Sequence, residues 1–339
     1  MSNFSYAYAM GRVRAVERKM LGQNQFDRMI ESGSAEDAFR VLREAEYGGA
    51  AQESSFSARG YESLLDAENE KLAAFITEVS PEPRLLNIFL MRYDYHNLKV
   101  LLKTEFSGAA GEPALSRSGV MAPDKLAGIV RERALYSLPA PMAAGVRDAI
   151  DAYSLSASAG APDPQTLDVR LDRAMYAHML EEARALGCPF IERLIGIYID
   201  LANIGAFLRM RDMGKDVGAL RGALIPGGEV SFGSFERYLR DGVDGFITAM
   251  QHTPYSALCE HGVRNYQTTG RLTAFELDAD NYVNSFIKKV KLFPVGIEII
   301  AAYFVARQAE FKNIRIVMVG KINGIAQDVI KERLRECYV

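Results

Sequence analysis

Three kinds of excess are missing from this 339-residue sequence, and each absence excludes a class of protein. No charge dominates: 40 Lys and Arg face 43 Asp and Glu, for a formal net charge of -3 at pH 7. Electrostatics therefore gives no general drive toward nucleic acid or an anionic membrane surface, and only a local basic patch could supply one. Cysteine is scarce. Cys188, Cys259 and Cys337 are odd in number and far apart, which fits reduced thiols better than a disulfide framework. Long apolar runs are absent as well. The most apolar stretch, KLFPVGIEIIAAYFVAR from Lys291, is broken by Pro294 and Glu298 and falls short of the about 20 apolar residues that a membrane helix requires. The opening MSNFSYAYAMGRVRAVERK turns polar and basic within a dozen residues, so no signal peptide is expected. Any membrane association is expected to go through a partner.

Catalytic constellations are also thin. His96, His178, His252 and His261 show neither paired ligand spacing nor a repeated place. There is no CxxC pair, and no serine stands in GxSxG. No catalytic residue, cofactor or metal site is expected from these residues.

What is present is ordinary globular material, 49% hydrophobic and 24% charged, in a chain long enough for two or three domains. SLLDAENEKLAAFITEVS, LDRAMYAHMLEEARALG and PFIERLIGIYIDLANIGAFLRMR place apolar residues three to four apart with charges between them, and alternating strand patterns are scarce. The fold class predicted is all-α.

The chain repeats itself. Leu-Asp occurs at Leu65 and Asp66, at Leu171 and Asp172, and at Leu277 and Asp278, in two steps of 106 residues. Downstream of each lies an acid, two residues, an Asn and a branched apolar residue: Asp94 and Asn97, Asp200 and Asn203, Glu310 and Asn313. Between the markers stand Pro83, Pro189 and Pro294, where a proline ends one helix and can begin the next. The stretch FDRMIESGSAEDAFRVLREAEY from Phe26 resembles FERYLRDGVDGFITAMQHTPY from Phe235, each reading as a helix, a break and a second helix; PDKLAGIVRERALYSL from Pro123 is a looser match. Three homologous helical domains are predicted, at 1–110, 111–218 and 219–339. Their boundaries fall at SGAAGEP (107–113) and DMGKDVGALRGALIPGG (212–228), with a loop at ASAGAPDP (157–164) inside the second. Such units are too long for helical-hairpin solenoid repeats of about 34 to 47 residues. Packed around a pseudo-threefold axis, they close a ring or funnel rather than a rod.

The repeated polar residues have two readings. Asn97 shares a helical stripe with Leu90, Asp94 and Leu101, so its amide needs a partner, expected in its own acid or a neighbouring helix. Seven residues before each Asn stand Leu90, Gly196 and Ala306, and the last two leave room for another backbone. On one reading each pair is a polar staple fixing helix register; on the other, the three sites are equivalent contacts around a central partner. A phosphate loop at Gly320 and Lys321 is not supported, since Arg315 and Ile322 hold the places of the required Gly and Ser or Thr. Gly320 is instead expected to end a helix.

The last 38 residues, AYFVARQAEFKNIRIVMVGKINGIAQDVIKERLRECYV, strongly resemble the C-terminus of the C subunit of the archaeal and bacterial V-type (A-type) rotary ATPases, which corresponds to the d subunit of the eukaryotic vacuolar enzyme. YAYAMGRVRAVERKML, EAEYGG and YDYHNLKVLLK are similar to that family's first part, and the likeness covers essentially the whole chain. The resemblance implies a funnel of three similar helical domains. It implies a non-catalytic rotor subunit that receives the foot of the central shaft and sits on the membrane proteolipid ring, carrying torque between them for proton or sodium transport, with no cofactor, no nucleic acid and no membrane span of its own. The implied location is cytoplasmic, peripheral on the membrane through the complex. A free-standing cytosolic helical-repeat scaffold would share every periodic feature and differ only in its partners.

Overall fold

The computed structural model describes residues 3–48, 57–108, 111 and 113–339, and among these there are helices and no strand. In chain order the helices are α1 (Asn3–Glu17), α2 (Gln23–Glu31), α3 (Ala35–Glu44), α4 (Tyr61–Val79), α5 (Arg84–Ser107), α6 (Pro123–Glu132) and α7 (Ala140–Ser158). There follow α8 (Gln165–Leu186), α9 (Pro189–Asp212), α10 (Val217–Ala223), α11 (Phe232–Asp241) and α12 (Val243–Met250). The last are α13 (Ser256–Leu258), α14 (Arg264–Thr269), α15 (Thr273–Lys288), α16 (Ile297–Ile322) and α17 (Gln327–Arg333). The chain is thus all-α, as its periodicity predicts. No helix among the described residues is long and apolar enough to cross a membrane.

Local chemistry places the boundaries. Ser34 caps α3 by accepting the Asp37 N–H at 3.1 Å, and Ser231 caps α11 through the Ser234 N–H at 3.3 Å. Pro189 occupies the first turn of α9, and Pro83 immediately precedes α5. The boundary expected at 212–228 contains α10, because Asp216 accepts the Ala219 N–H at 2.7 Å and starts a short helix. Ala109, Ala110 and Glu112 of the boundary expected at 107–113, and Gly49 of EAEYGG, lie outside the described residues.

The chain divides into two compact units, Met1–Pro83 with Met250–Val339, and Arg84–Ala249. In the first, α16 packs against α1, α2, α3, α4, α15 and α17. It is apolar on nearly every side, and Ile299 through Val305 are all buried, as expected of a helix surrounded by others. In the second unit, Tyr95, Leu98 and Leu102 of α5 meet Leu126 and Ile129 of α6, Met142 and Val146 of α7, and Leu167 and Leu171 of α8. Each such buried side chain contributes about 1.5–3 kcal/mol. The apolar face of α5 therefore joins it to the helices that follow, and α5 opens the second compact unit. Phe207 of α9, Phe235 of α11 and Phe246 of α12 complete the second unit, with ring centroids 4.5 to 5.9 Å apart.

Gly320 lies inside the last turns of α16, two residues before the helix stops at Ile322. The expectation that it ends the helix is therefore corrected. The left-handed residue is Gly324, at φ 63, with the Ile325 N–H returning to the Gly320 carbonyl at 2.9 Å. Gly320 serves packing instead: a Cβ there would stand 2.5 Å from Cδ1 of Ile330, which would push α17 away. Lys321 donates from Nζ to the carbonyls of Ile30, at 2.8 Å, and Ser32, at 2.5 Å, closing the C-terminus of α2.

Candidate functional site

The acid and Asn pairs are the most deeply buried polar groups of the sequence markers. Asn97, Asn203 and Asn313 are at most 2% exposed, and so are Asp94 and Asp200. The three Asn side chains have the same geometry. Asn97 donates from Nδ2 to the Ser116 carbonyl and accepts the Ser116 N–H at Oδ1, both at 2.8 Å. Asn203 does the same with Ile225, both at 2.8 Å, and Asn313 with Arg335, both at 2.9 Å. Each amide thus satisfies both polar groups of one peptide residue in the segment after its helix, 19, 22 and 22 residues downstream. This corrects the expectation that the Asn would pair with its acid or with a neighbouring helix. A carboxamide matches an extended backbone residue donor for acceptor, and the acid beside it is already engaged.

Asp94 accepts the N–H groups of Val120 and Met121 at 3.1 and 3.0 Å, and Asp200 those of Glu229 and Val230, both at 3.0 Å. Met121 and Val230 stand two residues before α6 and α11. Glu310, one methylene longer, accepts from the Tyr47 hydroxyl and from Arg307 Nη1 at 2.8 Å. The backbone N–H of Leu21, two residues before α2, lies near enough to favour its charged form, while Oε2 completes no hydrogen bond among the described residues. Burial pushes Glu310 up against the pull of Arg307, and it raises Asp94 to about 6 against the two N–H groups that favour its charge. The acids are served by close backbone. A Cβ on Gly119 would come within 2.1 Å of Asp94 Oδ1, and one on Gly228 within 2.1 Å of Asp200 Oδ1. Gly196 receives the Gly227 carbonyl, 3.6 Å from where a Cβ would stand.

The Leu-Asp markers are not drawn to one kind of partner. Leu65 and Leu171 are buried, whereas Leu277 is half-buried and the nearby Phe275 fills the core instead. Asp66 is exposed, Asp172 pairs with Lys99 of α5, and Asp278 binds His261 Nδ1 at 2.7 Å. Ser116, Ile225, Arg335 and the Tyr47–Arg307 group were not singled out from sequence. One signal was available: the clamped residues each follow a leucine, at Leu115, Leu224 and Leu334, in steps of 109 and 110 residues.

A cavity of about 520 Å³ in the second unit is lined by Arg92, Tyr93, His96, Asp172, Tyr176 and Tyr198 among others. Lys99 and Asp172 on its wall pair with each other. Among the described residues no group of three or more His, Cys, Asp or Glu is gathered to hold a metal ion.

These features define a class: an all-helical protein in which recurring buried Asp and Asn side chains hold connecting backbone to long helices. The chain belongs to the ATP synthase (C/AC39) subunit family, whose model matches residues 9–333. It is similar, at 25% identity over 96% of this chain and 97% of the other, to the C subunit of the V-type sodium ATPase of Enterococcus hirae. It is also similar to the C subunits of the A-type ATP synthases of Methanocaldococcus jannaschii, at 23% identity over 97% of this chain and 86% of the other, and of Methanosarcina mazei, at 24% over 97% and 92%.

Proposed function

We propose that this chain is the non-catalytic C subunit of a V/A-type rotary ATPase, a socket that joins the central shaft to the membrane proteolipid ring and passes torque between them during proton or sodium transport. The observation that carries this reading is the end-to-end similarity to the C subunits of such enzymes, with a family match over residues 9–333. The internal geometry supports a load-bearing part. Asp94, Asn97, Asp200, Asn203 and Asn313 tie the backbone of connecting segments to long helices, and Glu310 accepts from the Tyr47 hydroxyl, which stiffens the body. In this reading α5, α9 and α16 are equivalent helices of three copies, 1–110, 111–218 and 219–339, set around a pseudo-threefold axis as a funnel. The polar pairs are staples of that body rather than contacts to a partner. A torque-bearing socket needs two large faces, each above about 1,000 Å².

The test is to tag the chain in its native host, extract membranes in mild detergent and identify what accompanies it. Proteolipid, shaft and catalytic ATPase subunits in fixed ratio are the expected result. Recovery of the chain alone, or with unrelated soluble partners, would overturn the reading.

A further inference from the structure

The connection from α15 to α16 is unlike its counterparts. The links from α4 to α5 and from α8 to α9 are the short SPEP and Gly187-Cys188, without lysine. The third link follows Lys288 with a 3-10 turn, Lys289–Leu292, and reaches α16 only at Ile297. Asn97 is the 14th residue of α5 and Asn203 the 15th of α9, whereas Asn313 is the 17th of α16. Relative to its Asn, this link therefore stands two to three helical residues further out.

Its surface has two chemistries. Residues 291–295 are all exposed, with Leu292 at 87%, Phe293 at 38% and Val295 at 38%. An exposed leucine beside an exposed Phe-Pro-Val is a costly edge to leave in water without a use. Lys288, Lys289 and Lys291 crowd its base. Lys289 is exposed, with Nζ 5.4 Å from the Phe286 ring centroid, and Lys288 stands 3.5 Å from Glu336. Lys291 is committed to the Tyr338 carbonyl at 2.7 Å, and the Lys291 pKa is lowered by burial and then by the positive charge of Lys288. The tip is rigidly held: Val290 is fully buried, and Arg14 Nη2 donates to its carbonyl at 3.1 Å.

We infer that the Lys288–Gly296 tip docks on an anionic lipid surface, seating Leu292 and Phe293 among the headgroups with Lys288 and Lys289 against the lipid phosphates. Local charge complementarity selects this occupant. A cationic base under an apolar edge matches a phospholipid interface, which offers negative charge at the headgroups and hydrocarbon just beneath them. The balanced charge of the whole chain, -3, conceals this patch because the lysines are concentrated within four positions. The inference does not depend on the rotor reading, because it concerns the chain by itself.

The experiment is co-sedimentation of the full chain with phosphatidylcholine vesicles, with and without about 30% phosphatidylglycerol. Anionic vesicles should bind at least about tenfold more, and salt should weaken the binding; each lysine against the surface is worth about fivefold. Free glycerol phosphate should not compete, because the apolar edge needs a surface. Leu292→Asp and Lys289→Glu should each lower binding several-fold with circular dichroism and thermal melting unchanged, since both side chains are exposed. Equal binding to neutral vesicles, competition by free glycerol phosphate, or variants that bind like wild type would overturn the inference. So would a photocrosslinker at position 292, in native membranes, that labels a proteolipid or another protein instead of phospholipid.

Discussion

Asn313 and Arg335 close a ring of two hydrogen bonds, Nδ2 to the Arg335 carbonyl and the Arg335 N–H to Oδ1, each at 2.9 Å. The Arg335 side chain continues the link, with Nε 2.7 Å from Asp280 of α15. Removing the amide leaves a buried N–H and C=O unpaired, which costs about 1–3 kcal/mol. Asn313→Ala and Asn203→Ala should each lower the free energy of unfolding by that amount in urea titrations. Asn97→Ala should cost less, because its clamp is only partly buried and water can replace the amide. Negligible losses at all three would refute the staple reading.

The glycines at 119 and 228 should be intolerant of a methyl group. Gly228→Ala forces a Cβ onto Asp200 Oδ1, and relief requires the segment to move off α9. A loss of about 1–3 kcal/mol is expected. Shortening the acid should relieve the clash, so Gly228→Ala with Asp200→Ala should lose less than the two single changes added together. Strict additivity in a double-mutant cycle would contradict this.

Asp94 makes a pH prediction. Its carboxyl is raised to about 6 by burial, whereas an unfolded carboxyl titrates near 3.9. Between those values the native state holds a proton that the unfolded state has released, so the stabilising contribution is complete below about 4 and is lost as pH rises through about 6. Wild type should therefore lose stability relative to Asp94→Asn between about pH 4 and 7. Wild-type stability that stays flat relative to Asp94→Asn, or rises with pH, would reverse the assignment.

Arg307 holds the third acid. It donates to Glu310 and to Tyr47 at 2.8 and 2.9 Å, with Glu68 Oε2 at 3.5 Å from its Nη2. Arg307→Met leaves Glu310 buried without its counter-charge and should cost about 3–5 kcal/mol, among the largest single losses in the chain. Arg307→Met with Glu310→Gln should recover part of it, and failure to recover any would mean that packing, not charge, dominates.

Lys321 distinguishes a cap from a phosphate ligand. Lys321→Ala should remove the bonds to the Ile30 and Ser32 carbonyls at the end of α2 and lower stability by about 1–2 kcal/mol. Binding of magnesium nucleotide, measured by calorimetry, should be the same in wild type and variant. Nucleotide binding abolished by the substitution would reinstate the loop reading.

By itself the sequence determined the helical class, because apolar residues every three to four positions admit only helices with a buried stripe. The even spacing of Leu65, Leu171 and Leu277, with Asn97, Asn203 and Asn313 recurring in order after them, marked the repeated motifs. Only tertiary structure decided what those residues hold. The partner of each Asn is a backbone residue 19 or 22 positions away, and every peptide offers the same donor and acceptor, so no side-chain pattern names the one selected. The same limit hid the role of Gly320, whose need for smallness comes from Ile330 of a separate helix. It also hid the unit border before α5, which depends on the packing of Tyr95, Leu98 and Leu102 with later helices. Periodicity is local and therefore legible along the chain; backbone satisfaction and close packing join distant segments and are settled only when the chain is folded.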